Sequence, residues 1–142
     1  MRASEICICA IKGFEGLKLK AYKCPAGVLT IGYGHIRGVK DEQIITLAQA
    51  NSLLKGDLLI IETYLNKLGI LKTQGQFDAI CDFCFNLGIG KFTGSTLYKV
   101  ICRDGSDEEV EKQLMKWIYS GEKPLNGLIK RRKWEAQQWQ RR

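Results

Sequence analysis

A chain of 142 residues, 45% hydrophobic and with only two prolines, is long enough to bury a compact core and too apolar to be a disordered tail. Lysine and arginine outnumber aspartate and glutamate by 22 to 15, and the formal charge of +7 suits a polyanionic partner: nucleic acid, an acidic lipid surface or bacterial cell wall. No apolar run reaches the roughly 18 residues of a membrane span. The segment Met1–Phe14 carries Arg2, Glu5 and Lys12 without a small-residue cleavage site, so neither membrane insertion nor a secretory leader is expected.

Ser4 is positioned to cap a first helix whose apolar side reads as Ile6, Cys9, Ala10 and Phe14. Gly16 and the turn Cys24-Pro25-Ala26-Gly27 break the helical period. Around that turn Leu19, Ala21, Val28, Leu29, Ile31 and Tyr33 alternate as short strands, and Gly32, Gly34 and Gly38 keep the region rich in loops. From Thr46, a plausible cap, Leu47, Ala50, Leu54, Leu58, Ile61 and Leu65 recur at spacings of three and four, predicting a helix of about twenty residues that can serve as a strut.

Thr73 and Gln76 form a capping-box pattern before Phe77, Ile80, Cys81, Cys84 and Phe85, and Asn86-Leu87-Gly88 ends that helix. Ser95 starts a short helix, Ser106 with Glu109 offers a second capping box leading toward Trp117, and a last helix is predicted from about Asn126 to Gln140. The fold class is therefore α+β, a small mixed N-terminal part followed by a helical part.

Six cysteines, Cys7, Cys9, Cys24, Cys81, Cys84 and Cys102, do not read as a secreted disulfide framework in a chain of this size without a leader. Cys81-Asp82-Phe83-Cys84 has the spacing of metal and redox sites but lies inside an apolar helical run, and one histidine leaves few further soft ligands. All but Cys24 are expected to be buried, inert thiols.

Glu15 falls at the predicted end of the first helix, where apolar neighbours such as Phe14 and Leu17 give the surroundings a general acid requires. Cys24 and Thr30 lie in the hairpin that folds back beside it. Taken alone, a glutamate before glycine is usually just a solvated helix end.

The run Phe14-Glu15-Gly16-Leu17 through Tyr22-Lys23-Cys24-Pro25-Ala26-Gly27-Val28-Leu29-Thr30-Ile31-Gly32-Tyr33-Gly34-His35 resembles the signature of the phage-type lysozymes. The resemblance continues in Gln76-Phe77-Asp78-Ala79, in Phe83-Cys84-Phe85-Asn86-Leu87-Gly88 and in Gly127-Leu128-Ile129-Lys130-Arg131-Arg132, so it covers nearly the whole chain. It implies one lysozyme-like domain over residues 1–142. Within it the N-terminal lobe takes about 14–55, the connecting helix about 46–70 and the helical lobe about 72–142, with helix 4–14 packed on the last.

The resemblance further implies a muramidase that cuts the β-1,4 bond between N-acetylmuramic acid and N-acetylglucosamine in peptidoglycan. Glu15 would be the general acid, Thr30 would orient the attacking water, and Cys24 stands where many members carry aspartate. Cys24 acts either as a thiolate, helped by Lys23, or only as a space-filling side chain. Asn86 either reaches the cleft or ends its helix. Arg131 is expected to pair with Glu15, with Lys130 and Arg132 as alternatives of register. Tyr33 lines the cleft or packs, and His35 is expected to be structural rather than a base.

Two positions depart from the family pattern: Leu29 replaces the usual tryptophan before Thr30, and Ile36 replaces the usual threonine after His35. No cofactor and no metal are implied. The expected partner is peptidoglycan, with no nucleic acid and no membrane insertion, and the expected state is a monomer. The expected site of synthesis is the host bacterial cytoplasm, with access to the wall through a membrane pore or after lysis. The competing expectation is a catalytically silent wall-binding relative.

Overall fold

Ser4 caps the first helix, α1 (Glu5–Glu15), accepting a hydrogen bond from the amide of Cys7. In the computed structural model, which describes residues 1–142, the buried stripe of α1 is Cys7 and Ile11, whereas Ile6 and Cys9, expected to face the core, are exposed. Apolar residues lie on both sides of this helix, so periodicity leaves two possible faces. Asp78 decides between them: it accepts from the Ser4 amide at 3.0 Å and from the Ser4 hydroxyl at 2.5 Å, fixing how α1 is turned about its axis.

The chain then forms β1 (Lys18–Lys23) and β2 (Leu29–Gly32), an antiparallel pair with Tyr22 opposite Thr30 and Lys23 opposite Leu29. Gly27, at φ +79°, closes the turn, and its amide bonds the Cys24 carbonyl at 2.7 Å. On the other side of β1, bonds from Ala21 to Gln43 and from Ile45 to Leu19 hold the segment leading into the next helix. This small sheet is wet on one side. Leu19 and Val28 are exposed, while Thr30, Ile31 and Tyr33 are buried.

Helix α2 (Leu47–Leu68) starts at a complete capping box between Thr46 and Gln49 and ends at Gly69 in the left-handed region, φ 63°. Ala50, Leu54, Leu58, Ile61 and Leu65 form its buried stripe. Each large member contributes about 1.5–3 kcal/mol of burial, far more than any surface pair on the opposite face. Helix α3 (Gln74–Leu87) is buried along most of its length and packs against α1, α2 and the last helix. Its predicted capping box closes on one side only, because the Gln76 carboxamide accepts from the Lys72 amide at 2.8 Å instead of that of Thr73.

Short helices α4 (Ile89–Thr93), α5 (Thr96–Cys102) and α6 (Asp107–Leu114) follow, α6 with the Ser106–Glu109 capping box complete. A small hairpin, β3 (Tyr119–Ser120) with β4 (Lys123–Pro124), leads into α7 (Asn126–Trp139). Neither α4 nor this second hairpin was expected from the sequence; each is too short to carry a period. One continuous core of 25 buried apolar residues runs through these helices to Ile31 and Tyr33 of the first hairpin region. Cys7, Cys81 and Cys84 are buried in it. Cys9 and Cys102 are exposed, correcting the expectation of burial, and all six cysteines are free. No helix is long and apolar enough to cross a membrane.

Candidate active site

Glu15 is the last residue of α1, released from the helix by Gly16 at φ 72°, and its side chain is 21% exposed. The environment is not the apolar one expected. Arg131 Nη1 of α7 donates to Glu15 Oε2 at 2.7 Å. Glu15 Oε1 lies against the backbone of Gly34, so close that a Cβ on Gly34 would stand 2.5 Å from it. The carboxyl is therefore held between a cation and a glycine.

Arg131 is itself fixed from behind. Its Nε bonds both carboxylate oxygens of Asp82 on α3, at 3.1 and 3.0 Å, and Nη2 bonds Oδ1 at 2.9 Å, while the guanidinium lies 5.0 Å over the Phe14 ring. Burial works against the Arg131 charge, yet Asp82 first and Glu15 second more than offset it, and its pKa is raised. Of the three possible registers in Lys130-Arg131-Arg132, the residue on Glu15 is Arg131. The fully buried Arg132 turns instead to Asn86, Glu135 and the Trp117 carbonyl.

Cys24 and Thr30 are brought together across the first hairpin. The Cys24 thiol is pulled below its ordinary pKa by hydrogen bonds from the backbone of Val28, against some desolvation, with the Ala26 backbone adding to the effect. The Thr30 hydroxyl has one proton, and it lies on the Val28 carbonyl at 3.0 Å. The Thr30 oxygen then offers lone pairs rather than a proton.

The remaining candidates are structural in their contacts. His35 Nδ1 is 2.8 Å from Asp57 of α2 and Nε2 is 2.7 Å from the Arg37 carbonyl, so both ring nitrogens are occupied. Tyr33 is 8% exposed with Lys12 over its ring at 5.4 Å. Asn86, expected either to reach the cleft or to end its helix, accepts from Arg132 at 2.8 Å and makes no bond to Glu15.

Two depressions flank the acid. One of 280 Å³ is lined by Gly34, Ile36, Asp57, Phe85 and Ile89 among others, and one of 510 Å³ by Phe14, Leu125, Gly127, Leu128 and Arg131 among others. Gly34 and Arg131, which both lie against Glu15, belong one to each. No three histidine, cysteine, aspartate or glutamate side chains converge as metal ligands.

Sequence reasoning did not find Asp82, Gly34, Asp57 or Glu135. For Asp82 a signal existed: an acid four residues after Asp78, inside an apolar helix, must find a buried cation. For Gly34 and Asp57 nothing in the local sequence announces the contact.

A two-lobed α+β arrangement with an acid at the end of the first helix, seated against the glycine that follows the first hairpin, defines a lysozyme-like glycosidase fold. The phage lysozyme family model matches residues 12–135, and the chain belongs to that family. It is 41% identical over 140 residues to the endolysin of Acyrthosiphon pisum secondary endosymbiont phage 1, covering 95% of each chain. Among solved structures it resembles the muramidase domain of SpmX from Asticaccaulis excentricus, with a TM-score of 0.86 and 32% identity over 98% of this chain and 97% of that one. It also resembles the endolysin from Escherichia coli O157:H7 phage FAHEc1, with a TM-score of 0.83 and 34% identity over 99% and 94%.

Proposed function

We propose that this protein is a muramidase of the endolysin type, hydrolysing the β-1,4 bond between N-acetylmuramic acid and N-acetylglucosamine in peptidoglycan. The observation that carries the reading is Glu15, a partly exposed carboxyl held by Arg131 and Gly34 between two depressions on the surface. Residues about 14–55 form the smaller lobe in this reading and about 72–142 the larger, with α2 between them.

Glu15 protonates the glycosidic oxygen as the bond to the anomeric carbon breaks, water attacks that carbon and releases a proton to solvent, and Glu15 is reprotonated for the next turnover. As the proton leaves, the Glu15 carboxylate becomes charged, and Arg131 stabilises that charge without having to move, because Asp82 already holds it. Thr30 supplies lone pairs to hold the water. Cys24, whose thiol is held toward the thiolate by the Val28 backbone, faces the developing positive charge of the sugar. The +7 charge draws the protein to the anionic wall, an attraction that salt weakens. The protein acts as a monomer without inserting into membrane and meets the wall after passing a membrane pore or after lysis.

Loss of turbidity in a bacterial wall suspension tests the reading. The intact protein clears under reducing conditions, and Glu15→Gln does not. Binding to wall without clearing by either protein would instead support a silent relative, the reading favoured by the absence of a carboxylate at position 24.

A further inference from the structure

Next to Arg131 stands an arginine that the hydrolytic reading leaves unused. Arg132 of α7 is fully buried, and so is Glu135 one turn along the same helix. Arg132 Nη2 divides its two protons between Asn86 Oδ1 of α3 at 2.8 Å and Glu135 Oε2 at 2.9 Å. Its Nε lies 2.6 Å from Glu135 Oε1, Nη1 donates to the Trp117 carbonyl at 3.2 Å, and the guanidinium sits 5.1 Å over the Phe83 ring. Burial pushes the Glu135 carboxyl above the usual carboxylate range against the pull of Arg132, and its oxygens accept from the arginine in either protonation state.

A buried pair of this kind is a poor way to stabilise a fold, because apolar side chains of similar volume commonly do as well or better. What the pair fixes is the side chain of Asn86. An arginine has only donors, so it meets a carboxamide at the oxygen and settles which way that group is turned. Asn86 is half-buried, and its Nδ2, which carries two N–H donors, bonds no group of the protein and is not closed off from solvent. Asn86 follows Asp82 by four residues on α3, hence on the same face and about 5.4 Å further along. Asp82 grips Arg131, which bonds Glu15, and Phe85, the residue before Asn86, lines the depression that Gly34 borders. The unpaired donor therefore stands on the side of α3 that serves the acid.

We propose that Asn86 Nδ2 donates to an acetamido carbonyl of the glycan, and that the buried Arg132–Glu135 pair is the positioning element that presents this donor. An acetamido carbonyl accepts and cannot donate, whereas a sugar hydroxyl does both, so a carboxamide locked with its oxygen inward matches the first in full. Both sugars of the wall glycan carry that group. Arg132 and Glu135 do not touch the substrate. The inference rests on the reading of the chain as a wall glycosidase and deepens it by naming the group that the site recognises.

Asn86→Asp tests the donor. Aspartate keeps an acceptor for Arg132 and lacks the N–H₂, so the urea midpoint should stay at or above that of wild type. At the variant's own pH optimum, KM for bacterial walls should rise about tenfold while kcat stays within about threefold, as expected of a bond made equally in bound substrate and transition state. An unchanged KM overturns the donor. The partner is tested with walls stripped of their acetyl groups: wild type should lose about tenfold in kcat/KM and Asn86→Ala about twofold or less. Equal losses overturn the acetamido carbonyl.

The positioning pair is tested by Arg132→Leu with Glu135→Leu, which replaces both buried partners by apolar side chains. This double variant should raise KM as far as Asn86→Ala does, and combining all three substitutions should raise it no further. Additive effects overturn the positioning role. Should the double variant fail to fold, Arg132→Lys decides: an ammonium keeps the charge but not the planar fork that spans Asn86 and Glu135, so KM should rise as in Asn86→Ala, and a wild-type KM overturns the role. Absence of clearing by wild type would remove the hydrolytic reading and this inference with it, whereas an active wild type matched by Asn86→Asp removes the inference alone.

Discussion

Glu15 Oε1 occupies the space that a side chain on Gly34 would need: a Cβ there would stand 2.5 Å from it. Gly34 also sits at φ +72°, where any other residue is strained. Gly34→Ala therefore has two separable effects. The backbone strain lowers stability by about 1–2 kcal/mol. The methyl group displaces the carboxyl, a terminal group that can swing away, and so breaks its bond to Arg131. Activity per folded molecule should fall about a hundredfold, by the sensitivity of catalysis to a displacement of about 1 Å. Paired measurements of wall clearing and denaturant unfolding check this, and a variant that loses stability but keeps its rate would show that Glu15 does not need this seat.

Much of the fold is legible in the sequence because its helices carry their own caps. Thr46 with Gln49 and Ser106 with Glu109 are local signals, and both boxes are complete in the structure. The buried face of α1 is not legible because Ile6 and Cys9 are as apolar as Cys7 and Ile11, and only the bond from Ser4 to Asp78, more than seventy residues further along the chain, distinguishes them. The same reason hides half the site. Glu15 and the hairpin are contiguous in the chain and carry a motif. Asp82, Gly34 and Asp57 matter only through partners that the fold delivers from other elements.

Arg131→Met should be costly for folding as well as for catalysis. It leaves Asp82, which is fully buried, without its counter-charge, an arrangement worth about 3–5 kcal/mol of destabilisation. Replacing both partners, Arg131→Met with Asp82→Leu, should recover most of that loss while activity stays low. A double-mutant cycle read by urea midpoints measures the coupling, and equal losses from the single and double variants would contradict the pairing.

The six thiols should divide by reactivity. Cys24 combines partial exposure with a pKa lowered mainly by the Val28 backbone, so at neutral pH it should be alkylated by iodoacetamide before the exposed Cys9 and Cys102. Cys7 and Cys84 should resist until the protein unfolds. Both are buried and both are pushed to higher pKa, Cys7 chiefly by its hydrogen bond with Cys81 and Cys84 by burial. Mass spectrometry of labelled peptides over time gives the order directly. If Cys24→Ser also keeps full activity across the pH range, the thiolate plays no part in the reaction.

His35 tests whether a lone histidine near an active site takes part in the chemistry. Both of its nitrogens are engaged, by Asp57 and by the Arg37 carbonyl. His35→Ala leaves the largely buried Asp57 with only the exposed Arg37 as a partner, which should destabilise the fold by about 1–3 kcal/mol. The rate per folded molecule at a temperature well below unfolding should stay close to that of the intact protein. A loss of more than about tenfold in kcat with the fold intact would return His35 to the reaction.

Gly75 opposes two effects of known sign. It lies in the first turn of α3, and on propensity alone Gly75→Ala should stabilise a helix interior by about 1 kcal/mol. Here α3 meets α7 backbone to backbone: a Cβ on Gly75 would run into the Gln138 carbonyl oxygen and stand 2.6 Å from that of Arg141. These are backbone atoms of the last turn of α7 and of the residues just after it, and they cannot swing aside as a side chain can. Separating the two helices also pulls Arg141 from Asp78, the carboxyl that holds the cap of α1. Packing should therefore win, and Gly75→Ala should lower stability by about 1–3 kcal/mol net. An increase in the urea midpoint would mean that α7 frays from α3 easily enough to accept the methyl group. In that case the last turn of α7 would contribute little to holding Arg131 in place at the other end of the same helix.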